Sequence, residues 1–148
     1  MAWVKNVLEA AQRRLAVVSR EASFVDAAQV LANPNTPLAV VCDSDGIAVG
    51  VIAPGHIVKA LASAGADACD FTASTIMAQP MLTCHVDDTL QQVWAVMNSR
   101  TLQCAPILDS DGRALGIIHA RDVAMALLDE VSYEEGLLRD YVMGIGYE

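Results

Sequence analysis

Four cysteines and three histidines are the side chains of this chain best suited to bind a metal or act as nucleophiles. Imidazole and thiolate both suit zinc, so a site would form if some of them converged in the fold. The cysteines show no Cys-x-x-Cys spacing, and no histidine stands at a ligand interval from them. No local Cys–His pair or oxyanion-hole motif indicates catalysis. We therefore expect free thiols in a non-enzymatic protein, with a metal or thiol sensor as the alternative. These residues are His56, His85, His119, Cys42, Cys69, Cys84 and Cys104.

A second reactive group, His119, Arg121 and Asp122, lies within four residues of the chain. It follows an apolar run that begins at Gly116, and it stands where a helical pattern starts. Histidine can donate a hydrogen bond when neutral and carries charge below about pH 6.5. An aspartate is favoured in the first turn of any helix. The alternative interpretation is thus a rim histidine, a solvated arginine and an ordinary helix-start aspartate.

Two copies of one unit position these residues. Residues 104–122 are typical of a strand, a tight turn, a second strand and a helix start, and residues 38–56 show the same layout. Subtracting 46 from 112, the numbers of the two turn glycines, gives an offset of 66 residues. The same offset maps Ser23 onto Thr89, the expected N-caps of two helices. The pattern predicts the order β-α-β-β-α, repeated once.

This repeat predicts an α/β fold, or α+β in some schemes, in which two β-α-β-β-α units pack sheet to sheet about a pseudo-two-fold axis. We expect a lead-in and first repeat over 1–66, a linker and second repeat over 67–132, and a helical tail over 133–148. The tail carries apolar residues at helical spacing, so it needs a partner, either the N-terminal helix or another chain. These residues are Leu137, Leu138, Tyr141 and Val142.

Composition argues against two classes of partner and against a membrane span. The 148 residues carry a net charge of −9, and 54% of them are hydrophobic. Nucleic acids and anionic membranes both require clustered lysines and arginines, so neither is expected as a partner. The chain lacks an uncharged apolar run of the roughly 18 residues that a membrane span needs. Its first twenty residues do not resemble a signal peptide, and we expect a cytoplasmic protein.

The repeat resembles a tandem pair of cystathionine β-synthase (CBS) domains, a Bateman module, of the bacterial stand-alone type. The resemblance covers residues 4 to 130 and rests on the order of its motifs. In the second repeat these are Thr75-Ile76-Met77, Asp87-Asp88-Thr89-Leu90, Ala105-Pro106-Ile107-Leu108-Asp109, Asp111-Gly112 and the stretch from Gly116 to Asp122.

The resemblance implies a non-catalytic sensor that needs no cofactor. Such modules bind adenosine-containing ligands (AMP, ATP, NAD(H) or S-adenosylmethionine) between their repeats, and they usually form homodimers. A stand-alone module would act in trans on an unidentified target protein. The alternative is an interaction or dimerisation module whose nucleotide sites are degenerate.

The family's ligand pattern is Gly-apolar-apolar-Thr/Ser-x-x-Asp. It implies that Asp122 accepts the ribose hydroxyls, that Arg121 reaches phosphate, and that His119 stands where the pattern has a hydroxyl after Gly116. In the first repeat Ala53 and His56 replace the hydroxyl and the aspartate, which implies a second, degenerate site. The strand starts would line the adenine slot, although ordinary core packing is the favoured alternative for the two cysteines. Trp94 shares a helical stripe with Leu90, Val93 and Met97, so we expect it in the core rather than stacked on a base. The slot residues are Thr83, Cys84, Cys104 and Ala105.

Overall fold

The computed structural model describes residues 2–147, with side chains up to Tyr141. Five strands and six α-helices alternate along the chain, with 3₁₀ helices at Val4–Val7 and Gly65–Asp70. The helices are α1 (Leu8–Arg13), α2 (Phe24–Leu31), α3 (Pro54–Ala64), α4 (Ala73–Ile76), α5 (Leu90–Arg100) and α6 (Ala120–Tyr147). The strands are β1 (Val17–Ser19), β2 (Ala39–Cys42), β3 (Ala48–Ile52), β4 (Cys104–Leu108) and β5 (Ala114–His119).

The repeat predicted from the sequence is confirmed, and the two hairpins pair in equivalent registers. Strands β1, β2 and β3 form one sheet, in which β1 runs parallel and β3 antiparallel to β2. Strands β4 and β5 form the equivalent hairpin, and an isolated parallel bridge from Cys84 to Ile107 stands where β1 would be. Ala39 pairs with Ile52 as Ala105 pairs with Ile118, and both hairpins shift register at the same position. Each pair differs by the 66-residue offset.

The tight turns of the two hairpins have the same physical origin. The carboxylate of Asp43 accepts backbone hydrogen bonds from Asp45 at 2.9 Å and Ile47 at 3.0 Å. Asp109 makes the same two bonds in the second hairpin. A glycine with positive φ completes each turn, at +82° and +89°, a backbone conformation that a side chain would strain. The hairpin tips then meet through backbone pairing of residues 47 and 113, which joins the two sheets.

Each repeat is completed by a segment that precedes the other one. Val4 and Ala11, from the lead-in, are buried in the core of the second repeat beside Leu90 and Ile118. Ala73, from the linker, is buried in the core of the first repeat. A central cluster combines Leu38, Val40, Cys42 and Val51 with Ile117 of the second repeat. The two repeats are therefore interlocked, and α1 lies against β5.

Helices α2 and α5 begin where the sequence predicts, whereas α1 lies later than expected, at Leu8–Arg13. Ser23 and Thr89 cap α2 and α5 by accepting backbone N–H bonds at 3.1 and 3.2 Å. In α3, however, the apolar residues Val58 and Leu61 are exposed.

The last helix, α6, continues without a break from the second repeat into the predicted tail. Its apolar residues Leu137, Leu138 and Tyr141 are all more than half exposed, so α1 does not cover them. The fourth predicted residue, Val142, lies outside the described side chains. Within residues 2–147, no helix combines the length and hydropathy needed to cross a bilayer.

Candidate functional site

A cleft of about 470 Å³ opens between the first repeat and the start of α6. Three segments form its walls: the C-terminal half of α1, the loop that follows α2, and the junction of β5 with α6. The lining residues are Ala10, Arg13, Arg14, Pro34, Asn35, Pro37, His119 and Arg121. Two of the three residues predicted from the reactive group, His119 and Arg121, therefore face a real cavity.

Gly116 allows α1 to form one wall of this cleft. A Cβ atom at Gly116 would lie 2.7 Å from the carbonyl carbon and 2.8 Å from the carbonyl oxygen of Ala11. Only a glycine permits the helix backbone to rest this closely on the strand. Gly116 is not among the lining residues; it packs against α1, which holds Arg13 and Arg14 beside His119.

Asp122 forms an ion pair with Arg14, and this pair joins α1 to the first turn of α6. Each of the two side chains is 22% exposed, so the pair is half-buried. Sequence reasoning did not identify Arg14, because the 66-residue offset maps it onto Pro80 and the repeat gives no signal for it. The one available signal was the pair Arg13-Arg14 in an acidic chain.

His119 is held as a neutral donor. Its Nδ1 atom accepts the backbone N–H of Arg121 at 3.0 Å, which leaves Nε2 to carry the proton. Burial lowers the pKa of His119, and the neighbouring Arg14 and Arg121 lower it further against the opposing effect of Asp122. Of the two protonation states expected from the sequence, the structure thus favours the neutral one near pH 7.

The four residues predicted for the adenine slot do not line this cleft. Cys84 and Ala105 are buried in the core of the second repeat, 0% and 1% exposed, and Thr83 is exposed elsewhere. Cys104 lines the second cleft instead. Cys84 is buried because its segment pairs with β4. Its backbone N–H and C=O both form hydrogen bonds to that strand, at 2.9 Å.

The second cleft, of about 350 Å³, contains the predicted degenerate residues Ala53 and His56. Its walls are mostly apolar, and no lysine, arginine, aspartate or glutamate is among the residues that line it. The Nδ1 atom of His56 accepts the backbone N–H of Ala53 at 2.8 Å, so this ring caps the start of α3. The two clefts therefore differ in charge: one is cationic and the other is almost uncharged.

The remaining reactive side chains do not converge. The Nδ1 atom of His85 lies 3.1 Å from the carbonyl oxygen of Leu108, whereas the Nδ1 atoms of the other two histidines accept backbone N–H groups, of Ala53 and Arg121. In the described part of the chain, no three histidine, cysteine or acidic side chains are grouped to hold a metal ion. Burial and Asp88 raise the pKa of Cys84 to about 12, which disfavours the reactive thiolate.

Trp94 is a further departure from the sequence-based expectation of core packing. Leu90, Val93 and Met97 form the buried stripe of α5, whereas Trp94 is 37% exposed. Trp94 lines a small pocket together with Asn98, Thr101 and Gln103. One helical step of about 100° from Val93 turns the indole away from the core.

Comparisons with known proteins add independent information. A family model described as CBS domain matches the chain twice, over residues 4–63 and 73–129. An uncharacterized 17.7 kDa protein of Acidianus ambivalens is 28% identical over 141 residues, which cover 95% of this chain and 84% of that protein. L-aspartate semialdehyde sulfurtransferase of Methanocaldococcus jannaschii is 28% identical over 102 residues, 69% of this chain but only 19% of that enzyme.

Solved structures agree with the fold. A CBS-domain-containing protein of Agrobacterium tumefaciens superimposes with a TM-score of 0.70 at 29% identity, over 84% of this chain and 97% of that one. A CBS domain pair solved with 5′-methylthioadenosine and S-adenosyl-L-methionine gives 0.72 at 24% identity, over 88% and 98%. Another, solved with AMP, gives 0.73 at 20% identity, over 87% and 98%.

Proposed function

Because this chain belongs to the CBS domain family and carries two tandem copies of the domain, we propose that it is a regulatory module that binds an adenosine-containing ligand in its cationic cleft. CBS domain pairs are generally regulatory and non-catalytic. One observation carries the proposal. The cleft between the repeats brings the His119 and Arg121 side chains together with Arg14, whose guanidinium bonds to the carboxylate of Asp122.

The chemistry of these groups fits the two ends of a nucleotide. A carboxylate such as Asp122 accepts hydrogen bonds from both hydroxyls of a ribose. The neutral His119 donates one hydrogen bond, and Arg121 offers several planar donors to a phosphate. Adenosine-type ligands are bound by two structurally similar CBS domain pairs, one with AMP and one with S-adenosyl-L-methionine.

The contribution of Asp122 can be tested by titrating AMP, ATP, NADH and S-adenosylmethionine into the protein. We expect at least one to bind and to raise the melting temperature, since a ligand at a hundred times its Kd adds about 2.7 kcal/mol to stability. Replacing Asp122 with Asn should weaken binding about ten- to a hundredfold, the worth of a lost charge-assisted hydrogen bond. The matched control is Asp129→Asn, which removes an exposed carboxylate further along the same helix, α6.

If none of these ligands shifts the melting temperature at millimolar concentration, the sensor proposal is wrong. That result would favour the alternative, an interaction module with degenerate sites. The second cleft supports such degeneration, since His56 stands at the position of the ribose carboxylate and its ring already accepts the N–H of Ala53.

We further propose that the chain forms a homodimer through its repeat helices and acts on a target protein in the cytoplasm. The support for a dimer is the exposed apolar surface of α3 and α6, where four large side chains are 45% to 64% exposed. These side chains are Val58, Leu61, Met125 and Leu128. Sedimentation equilibrium should give twice the 15.7 kDa chain mass, and Val58→Lys should shift the protein toward the monomer.

A further inference from the structure

The cationic cleft holds an unusual share of the positive charge of this protein. The chain has nine lysines and arginines against eighteen acidic residues, yet three of the nine line this one cleft. No aspartate or glutamate is among the residues that line it. Within the described side chains Arg121 forms no ion pair, and Arg13 meets Glu9 only at 3.9 Å in an exposed contact. Arg121 is therefore free to meet an anion, and Arg13 would give up only a weak, exposed contact with Glu9.

The third arginine already has a partner. Arg14 pairs with Asp122, the carboxylate that the proposed function assigns to the ribose. A ribose cannot take Asp122 from Arg14 at no cost, because a half-buried charge that loses its partner is destabilising. A phosphate carried on the same ligand removes this cost, since it offers the released guanidinium a new, bidentate anion.

Building on the proposed nucleotide site, we propose that Arg14 exchanges partners when the ligand binds. The ribose hydroxyls take the carboxylate of Asp122, and the phosphate chain takes the guanidinium of Arg14 together with Arg13 and Arg121. The cleft therefore selects phosphorylated adenosines over adenosine itself. It also disfavours S-adenosylmethionine relative to ATP, because that ligand has a net positive charge and offers the three arginines one carboxylate in place of a phosphate chain.

Isothermal titration calorimetry with adenosine, AMP, ATP and S-adenosylmethionine tests this exchange. The wild-type protein should bind ATP at least about tenfold more tightly than either adenosine or S-adenosylmethionine. In Arg14→Gln, ATP should bind about ten- to a hundredfold more weakly, whereas adenosine should bind more tightly because Asp122 is released. The opposite signs matter, because a merely structural arginine would weaken both ligands.

Two further variants keep the test decisive. Arg20→Gln removes the same charge from an exposed site outside the cleft and should leave all four affinities unchanged. Arg121 is also exposed, and Arg121→Gln should weaken the binding of ATP without changing the binding of adenosine. This variant replaces Arg14→Gln in the test if Arg14→Gln does not fold.

If Arg14→Gln weakens the binding of adenosine and of ATP by the same factor, the exchange is wrong. It is also wrong if the wild-type protein binds S-adenosylmethionine as tightly as ATP. If Arg14→Gln does not fold, an unchanged ATP affinity in Arg121→Gln overturns the phosphate selectivity. Failure of every adenosine compound to bind the wild type is a different result, which overturns the proposed function itself.

Discussion

Replacing Gly116 with Ala should destabilise the protein by forcing α1 away from β5. The new Cβ would lie 2.7 Å from the carbonyl carbon of Ala11, 2.8 Å from its oxygen and 2.9 Å from its Cβ. Carbon atoms in contact prefer about 3.5–4.0 Å, so the helix must shift by roughly an ångström. Backbone atoms cannot rotate aside as a side chain can, and the shift would also displace Arg14 from Asp122.

The expected size of the effect follows from two opposing terms. Overpacking a well-packed contact costs about 1–3 kcal/mol. Alanine has fewer unfolded conformations than glycine, which offsets about 0.4–1 kcal/mol of that cost. The middle values of the two ranges, about 2 and 0.7 kcal/mol, leave a net loss of about 1.3 kcal/mol. For a chain of this length, that loss lowers the melting temperature by about 3–5 °C.

Thermal unfolding followed by circular dichroism measures the effect, and Gly50→Ala is the matched control. Gly50 is the equivalent glycine of the first repeat, but its added Cβ would first meet the side chain of Met77, with the sulfur at 2.6 Å. Methionine is flexible and can move aside, although the carbonyl oxygen of Ala78 at 3.1 Å remains tight. We expect a smaller loss for Gly50→Ala. If Gly116→Ala is as stable as the wild type, or loses less stability than Gly50→Ala, the close contact of α1 with β5 does not require a glycine.

Three other predictions concern single side chains. Cys69 is exposed and should react at once with a thiol reagent at pH 8, whereas Cys84, with its pKa near 12, should react only after unfolding; Cys69→Ser should abolish the fast phase. Thr101 ends α5 in the left-handed conformation, at φ +55°, which glycine adopts without strain, so Thr101→Gly should raise stability by about 0.5–1 kcal/mol. Arg100 lies one residue earlier, inside the helix, so Arg100→Gly should lower stability by about 1 kcal/mol. Urea unfolding measures both. Folding lowers the pKa of His119, so the unfolded chain binds a proton more readily than the folded one. The free energy of unfolding should therefore fall as the pH drops below about 6.5. In urea titrations at pH values from about 5 to 7.5, His119→Gln should make the free energy of unfolding less dependent on pH.

The architecture was predictable because its signals are local and occur twice. Turn residues such as Asp43 and Gly46 recur 66 positions later, and that repetition identified the hairpins, their register and the pairing of the halves. Caps at Ser23 and Thr89 fixed two helix starts for the same reason. The position of His119 and Arg121 in a cleft followed from the strand-to-helix junction that both copies share.

The parts that sequence reasoning missed depend on long-range packing that breaks the repeat. Arg14 reaches Asp122 across 108 positions of the chain, and nothing in its local spacing indicates that contact. The lead-in packs on the second repeat, so the wall of the cleft comes from α1 rather than from the strand starts near Cys84. Trp94 fits the apolar pattern of α5, yet it lies one step outside the buried stripe.

A crystal structure of the protein grown with ATP tests the proposed site most directly. We expect electron density for the nucleotide between α1, the loop that follows α2, and the β5–α6 junction, with the ribose on Asp122 and a phosphate on Arg14. Density confined to the second cleft beside His56 and Cys104, or an Arg14–Asp122 pair unchanged beneath a bound nucleotide, would contradict it.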